Sequence, residues 1–277
     1  MNRLLAFALS IAIPVAGVSA AVRPDRWPPD MSAEIDTFGR VPGAGIPLRD
    51  KDIAILICSD TPRGLLAGVW NALALTDADL SRIRYQPEPG PLRDKLRGRA
   101  LVVRVPGMDA GDEPGFRQAM SSLGLLARHV FESGQLVKEE EFRFYLSGGF
   151  KAAIPYLIGL AEAVRSIDRS RLRQLGVERL MPDDGRYPAE AFVLHDTAGP
   201  DASPIRLPLR RLDAEAVRYE LSDFDRHGVR RSKPDGALLD GYAYEVKGRP
   251  GKQTWELTAF GEGLRALFGV PAEVPGR

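Results

Sequence analysis

Ser147, Gly148, Gly149, Phe150 and Lys151 stand between an apolar stretch, FRFYL, and an amphipathic one that begins at Ile154. Two glycines at such a junction let the backbone turn tightly and present N–H groups with no Cβ in the way. A helix starting just beyond points its positive end at the same spot, and Pro155 is tolerated in its first turn. Lys151 adds a full positive charge. Together these residues suit an anion, and phosphate above all. The plainer alternatives are a tight turn for the glycines and a solvated helix start for Lys151, although a cation there is electrostatically unfavourable. The spacing is neither GxGxxG nor GxxxxGK[ST], which disfavours a dinucleotide fingerprint and a P-loop.

A second polar turn, SDTPRG, follows the apolar run DIAILIC and supplies Ser59, Asp60, Thr61 and Gly64. Local capping of the turn is the simplest reading of Ser59 and Asp60. If both apolar runs are parallel strands, the two turns lie on one edge of a sheet, outside the carboxyl ends where open α/β sheets bind ligands.

The surrounding pattern supports that placement. DIAILIC and RALVVRVPG read as strands buried on both faces. Between them Leu65, Leu66, Val69, Trp70 and Leu73 recur at helical spacing. Phe116, Met120, Leu123, Ala127 and Val130 mark a further amphipathic helix, and Ile154, Leu157, Ile158, Ala161 and Val164 another. AEAFVL and PIRLPLRR read as a late strand pair. Alternating strands and helices indicate a parallel sheet, hence an α/β, Rossmann-like architecture.

The chain has 277 residues, with 38 basic and 37 acidic residues, so no global charge bias points to nucleic acid or membrane. Its single cysteine, Cys58, excludes an internal disulfide and a cysteine-based zinc cluster, and reads as a buried thiol rather than a nucleophile. His129, His195 and His227 are too scattered for a metal motif. No metal or cofactor is expected. Residues 1–20 read as a leader, with one arginine, an apolar stretch and VSA as a cleavage site, or as a short membrane anchor. Residues 21–50, rich in Pro, Gly and charge, read as a linker. A start near Lys51 is the other reading of this end.

SDTPRGLLAG and SGGFKAAIPYL, in that order, together with PGMDAGDEPGFRQAMSSLGLLARHV between them, resemble the CRISPR-associated Rossmann fold (CARF). Within it the chain is most similar to the ring-nuclease-like family of type III CRISPR accessory proteins. The resemblance covers residues 52–167 and, more loosely, the stretch to 211. It implies a homodimer that binds cyclic oligoadenylate, chiefly the four-membered ring, and cuts it without metal by attack of a ribose 2′-hydroxyl on the adjacent phosphate. Ser59 and Lys151 take the catalytic positions: Ser59 orients ribose and phosphate, and Lys151 stabilises the transition state. Asp60, Thr61, Gly64, Ser147, Gly148, Gly149 and Phe150 complete the cradle. A ligand made in the cytoplasm places the protein there, despite the leader. A sensor that binds the ring without cutting it is the alternative function.

Residues 51–211 are thus expected to form the Rossmann-like domain, and residues 212–277 a small α+β region. There DAEAVRYELSDFDRHG reads as a helix and its exit. GYAYEVKGRPGKQTWEL reads as a hairpin before a last helix, similar to a winged-helix module that dimerises or binds DNA. A dimerising role is favoured, because no clear recognition helix precedes it. Asp235, Glu245 and Lys247 also match the acidic and lysine signature of PD-(D/E)xK nucleases. The segment is too short for that core, and a winged-helix reading is preferred.

Overall fold

A computed structural model describes residues 3–10 (backbone), 32–108, 111–138, 140–147, 153–183, 185, 187–194, 199, 201–236 and 238–271. Strand β2 (Ile53–Ser59) shows why its sequence is apolar without alternation. Ile53, Ile55 and Ile57 enter one hydrophobic cluster, while Ala54, Leu56 and Cys58 enter another on the opposite face. A strand covered on both sides needs apolar residues at every position.

Strand β4 (Arg99–Val105) and strand β5 (Glu140–Tyr145) divide in the same way. With β1 (Arg3–Ser10), β3 (Ile83–Gln86), β6 (Ala189–Val193) and β7 (Ile205–Leu207) they form a seven-stranded sheet in the order β3-β4-β2-β1-β5-β6-β7. All neighbours are parallel except β6 and β7. Helices α1 (Ala33–Arg40) and α2 (Pro62–Leu75) cover one face. Helices α3 (Glu113–Glu132) and α4 (Ile154–Arg165) cover the other. The molecule is therefore mixed α/β, and the expected late strand pair is present as antiparallel β6 and β7.

Three expected segments are built differently among the described residues. Arg3–Ser10, expected within a leader or anchor, is a strand paired with β2 on one side and β5 on the other. β2 and β5 are not neighbours in the sheet, so β1 joins its two halves. A short apolar run looks the same in a leader and in a buried strand, and composition cannot separate them. No helix among the described residues is long and apolar enough to cross a membrane.

The linker expected over residues 21–50 contains α1, capped by Ser32 and anchored by buried Phe38; Val41 and Leu48 beyond it are buried too. The Pro- and Gly-rich flanks hid this short helix.

The boundary at 211/212 does not divide the core. After α5 (Arg169–Gln174) and α6 (Ala214–Leu221), a second sheet forms in the order β8-β10-β9. Its strands are β8 (Val229–Arg230), β9 (Tyr244–Lys247) and β10 (Thr254–Leu257). The last helix, α7 (Ala259–Phe268), packs on α3 and α4, and its Leu264, Leu267 and Phe268 belong to the same cluster as Ile55 and Phe144.

One buried carboxylate binds the two parts further, and a second braces the C-terminal part itself. Glu162 of α4 accepts bonds from Arg210 at 2.9 and 3.0 Å and from the Tyr242 hydroxyl at 2.9 Å. Burial alone would raise the Glu162 pKa, but these donors outweigh it and hold the carboxyl below its usual value. Glu220 of α6 accepts from the Leu238 and Leu239 amides and from Tyr244, each at 3.0 Å.

Candidate functional site

The parallel strands end together, so the chain leaving β2, β4 and β5 meets at one edge. Ser59, the last residue of β2, is buried at 1% exposure, and its hydroxyl lies 2.8 Å from that of Thr61. Thr61 is the N-cap of α2 and accepts the Gly64 amide at 3.1 Å. A Cβ on Gly64 would stand 2.1 Å from the Ser59 Oγ. Gly64 therefore lets the first turn of α2 settle onto the serine. Asp60 is exposed and accepts the Gly107 amide at 3.4 Å, which ties the β2 exit to the β4 exit. Gly107 has φ of +79°, and a Cβ there would stand 2.3 Å from the Gly115 carbonyl oxygen. Only glycine fits both conditions.

On the other side of β1, Ser147 follows β5. Its hydroxyl accepts the Leu194 amide at 2.7 Å and pairs with the hydroxyl of Thr37, which itself donates to the Ala33 carbonyl. Ser147 is thus the donor toward Thr37, and its one proton is committed. Ser147 links the end of β5 to α1 and to Leu194, just after β6. Thr37 lies in the stretch read as a linker, so no sequence signal marked it as the partner.

Ser59 sits in a similarly local setting. Its hydroxyl is enclosed within a capped turn, the plainer of the two readings, and has almost no exposed surface for a ribose. Thr61 and Gly64 build that turn, while Asp60 stands at its surface. Gly148, Gly149, Phe150 and Lys151 lie outside the described residues.

What can be described is the helix they lead into. α4 begins after Ala153, which offers no side-chain cap, has Pro155 in its first turn and carries no acidic residue there. Every other α-helix described has a capping side chain: Ser32, Thr61, Asp112, Asp168, Asp213 and Thr258. A helix start leaves its first N–H groups unpaired along the helix, and among the described residues no side chain caps α4.

Cys58 is fully buried, as its setting implied. Burial, with the Glu34 carboxylate second, pushes its thiol up to about 12, which rules against a ready thiolate. The residues of the nuclease signature have local partners. Asp235 accepts from Tyr219 of α6 at 3.0 Å, whereas Glu245 pairs with Lys247 at 2.7 Å within β9. Among the described residues no group of three or more His, Cys, Asp and Glu could hold a metal ion.

No family model matches the chain, and no curated protein matches it.

Proposed function

We propose that the chain is a type III CRISPR accessory module that binds cyclic oligoadenylate, the four-membered ring foremost, at the carboxyl edge beside α4. The observation that carries this reading is the start of α4, which lacks the capping side chain of the other helices and follows directly on SGGFK. Amide donors without a side-chain acceptor, a helix dipole and Lys151 make a fitting environment for phosphate. A parallel sheet covered on both faces supports the Rossmann-like assignment, and in such sheets ligands bind outside the carboxyl ends. The resemblance in SDTPRGLLAG and SGGFKAAIPYL supplies the ligand class. It also supplies the homodimer, in which two symmetry-related cradles suit one symmetric ring. The ring is made in the cytoplasm, and this reading places the protein there.

Cleavage of the ring is the second reading, favoured by a lysine positioned where negative charge would develop. With Ser59 enclosed, such catalysis would rest on Lys151 and backbone amides. The antiparallel hairpin before α7 supports a winged-helix reading of the C-terminal region, whereas Asp235 is engaged by Tyr219 and Glu245 by Lys247, which gives the nuclease reading little support.

Titration with cyclic tetra-adenylate, beside a single-turnover assay, tests the proposal. Lys151→Ala should weaken binding roughly ten- to hundredfold, the loss of one charge-assisted bond of about 1.5–3 kcal/mol. Ser59→Ala should leave binding largely intact. Linear products identify an enzyme and an unchanged bound ring a sensor. A wild-type chain that does not bind the ring defeats the proposal.

A further inference from the structure

Arg171 of α5 is a cation set inside the packing of helices. It is 4% exposed, and its guanidinium reaches the end of α7, where Nε donates to the Leu267 carbonyl at 2.9 Å. Gly269, with φ of +63°, makes room for it. A Cβ there would stand 2.2 Å from Nη1 and 2.5 Å from Nη2. A cation suits the negative end of a helix, and Nη1 has a further acceptor in Gln174 at 3.2 Å. Nη2 has none: it is buried without a hydrogen-bond partner among the described residues. A buried donor left unpaired is costly, the more so on a charged group.

The groups around it leave positive charge over. Burial pushes the Arg171 pKa down to about 10, and the guanidinium groups of Arg128 and Arg218 push the same way. Glu132 and Asp168 oppose them, yet both are already engaged. Glu132 accepts from Arg128 at 2.7 Å and lies 3.0 Å from His129 Nδ1. Asp168 is held by both outer nitrogens of Arg218, at 2.9 and 3.2 Å. Three guanidinium groups thus share two carboxylates.

Arg128 connects this group to solvent. Its side chain is 38% exposed, and among the described residues its two outer nitrogens have no acceptor. An ion pair as exposed as that of Arg128 and Glu132 is worth little. Arg128 is therefore free to turn toward an incoming anion.

We propose that Arg171 and Arg128 form a binding site for a small oxyanion, a phosphate group or a carboxylate, where α3, α5 and α7 meet. Planar guanidinium groups present paired N–H donors that match the oxygens of such an anion. α3 ends shortly before β5 begins, so the site lies at the opposite edge of the sheet from the start of α4. The inference is independent of any ring-shaped ligand at the carboxyl edge.

Titration of the full chain with inorganic phosphate, and separately with acetate, at constant ionic strength tests it. The readout is the Nε–H NMR signal of Arg171. That signal should shift to saturation in wild type and equally in Lys151→Ala, which lacks the cation of the other edge. Arg128→Ala leaves the buried residue in place and should weaken binding at least tenfold. Arg173→Ala, on the same short helix but turned to Glu178 at 2.9 Å, should bind as wild type. The bound ion should also raise the urea midpoint of wild type and not that of Arg128→Ala. A response to phosphate alone identifies a phosphate site, and a response to acetate alone a carboxylate site. No response to either ion, full affinity in Arg128→Ala, or loss of binding in Lys151→Ala overturns the proposal.

Discussion

Gly124 of α3 lies directly against Gly263 of α7, so close that a Cβ on Gly124 would stand 2.1 Å from the Gly263 carbonyl oxygen. The contact joins the C-terminal helix to the main sheet's covering layer, with no side chain between the two backbones. Gly124→Ala must push the helices apart. We expect a loss of about 1–3 kcal/mol, read as a lower urea midpoint in one cooperative transition. A separately folding C-terminal unit would instead melt in its own transition and leave the main one unmoved.

The position of β1 gives a second prediction. Removing residues 1–20 would harm nothing if they were a dispensable leader. With β2 and β5 meeting only through β1, the truncated chain should lose its cooperative unfolding transition and bind a hydrophobic dye. A truncated chain with the full chain's urea midpoint would show that the strand adds nothing.

Cys58 supplies a pH dependence. Its thiol rises from the ordinary 9.0 to about 12 in the folded protein, through burial first and Glu34 second. The unfolded chain releases this proton near pH 9, while the folded one retains it. Stability conferred by the retained proton is complete below 9 and declines as pH rises toward 12, by up to about 1.4 kcal/mol per pH unit. Buried Tyr145, Tyr187, Tyr242 and Tyr244 are shifted in the same direction above 10, so the window that isolates the thiol is pH 8–10. Urea midpoints should fall across that window in wild type and flatten in Cys58→Ala. Equal slopes in both proteins would contradict this account.

The elements that the sequence marked clearly are those whose environment is simple. β2 and β4 are apolar at every position because both faces are covered, and α3 shows a stripe because one face is. The weak elements are short or atypical. β3 has four residues with its side chains partly exposed, and α1 has eight behind a Pro-rich approach. The integration of α7 was hidden because its glycines, Gly261 and Gly263, look like flexibility but mediate close packing against Ala243 and Met120.

At the candidate site the turn residues were legible and their roles less so. Ser59 and Ser147 have the types a ligand site needs, and their hydroxyls also meet Thr61 in the one case and Thr37 and Leu194 in the other. Hydroxyl partners depend on elements far apart in sequence, as the pairing of Ser147 with Thr37 shows, and spacing alone cannot reveal them.

A strand made first but paired on both sides has a consequence for biosynthesis. β1 leaves the ribosome before any neighbour, and its partner β5 does not begin until Glu140. At about 5–20 residues per second, that gap is on the order of ten seconds. During this interval β1 can pair only with β2, and the sheet cannot close on its other side. Such a segment is a natural client for holding chaperones, and completion of the fold must wait for the slow, long-range pairing that its place in the sheet demands.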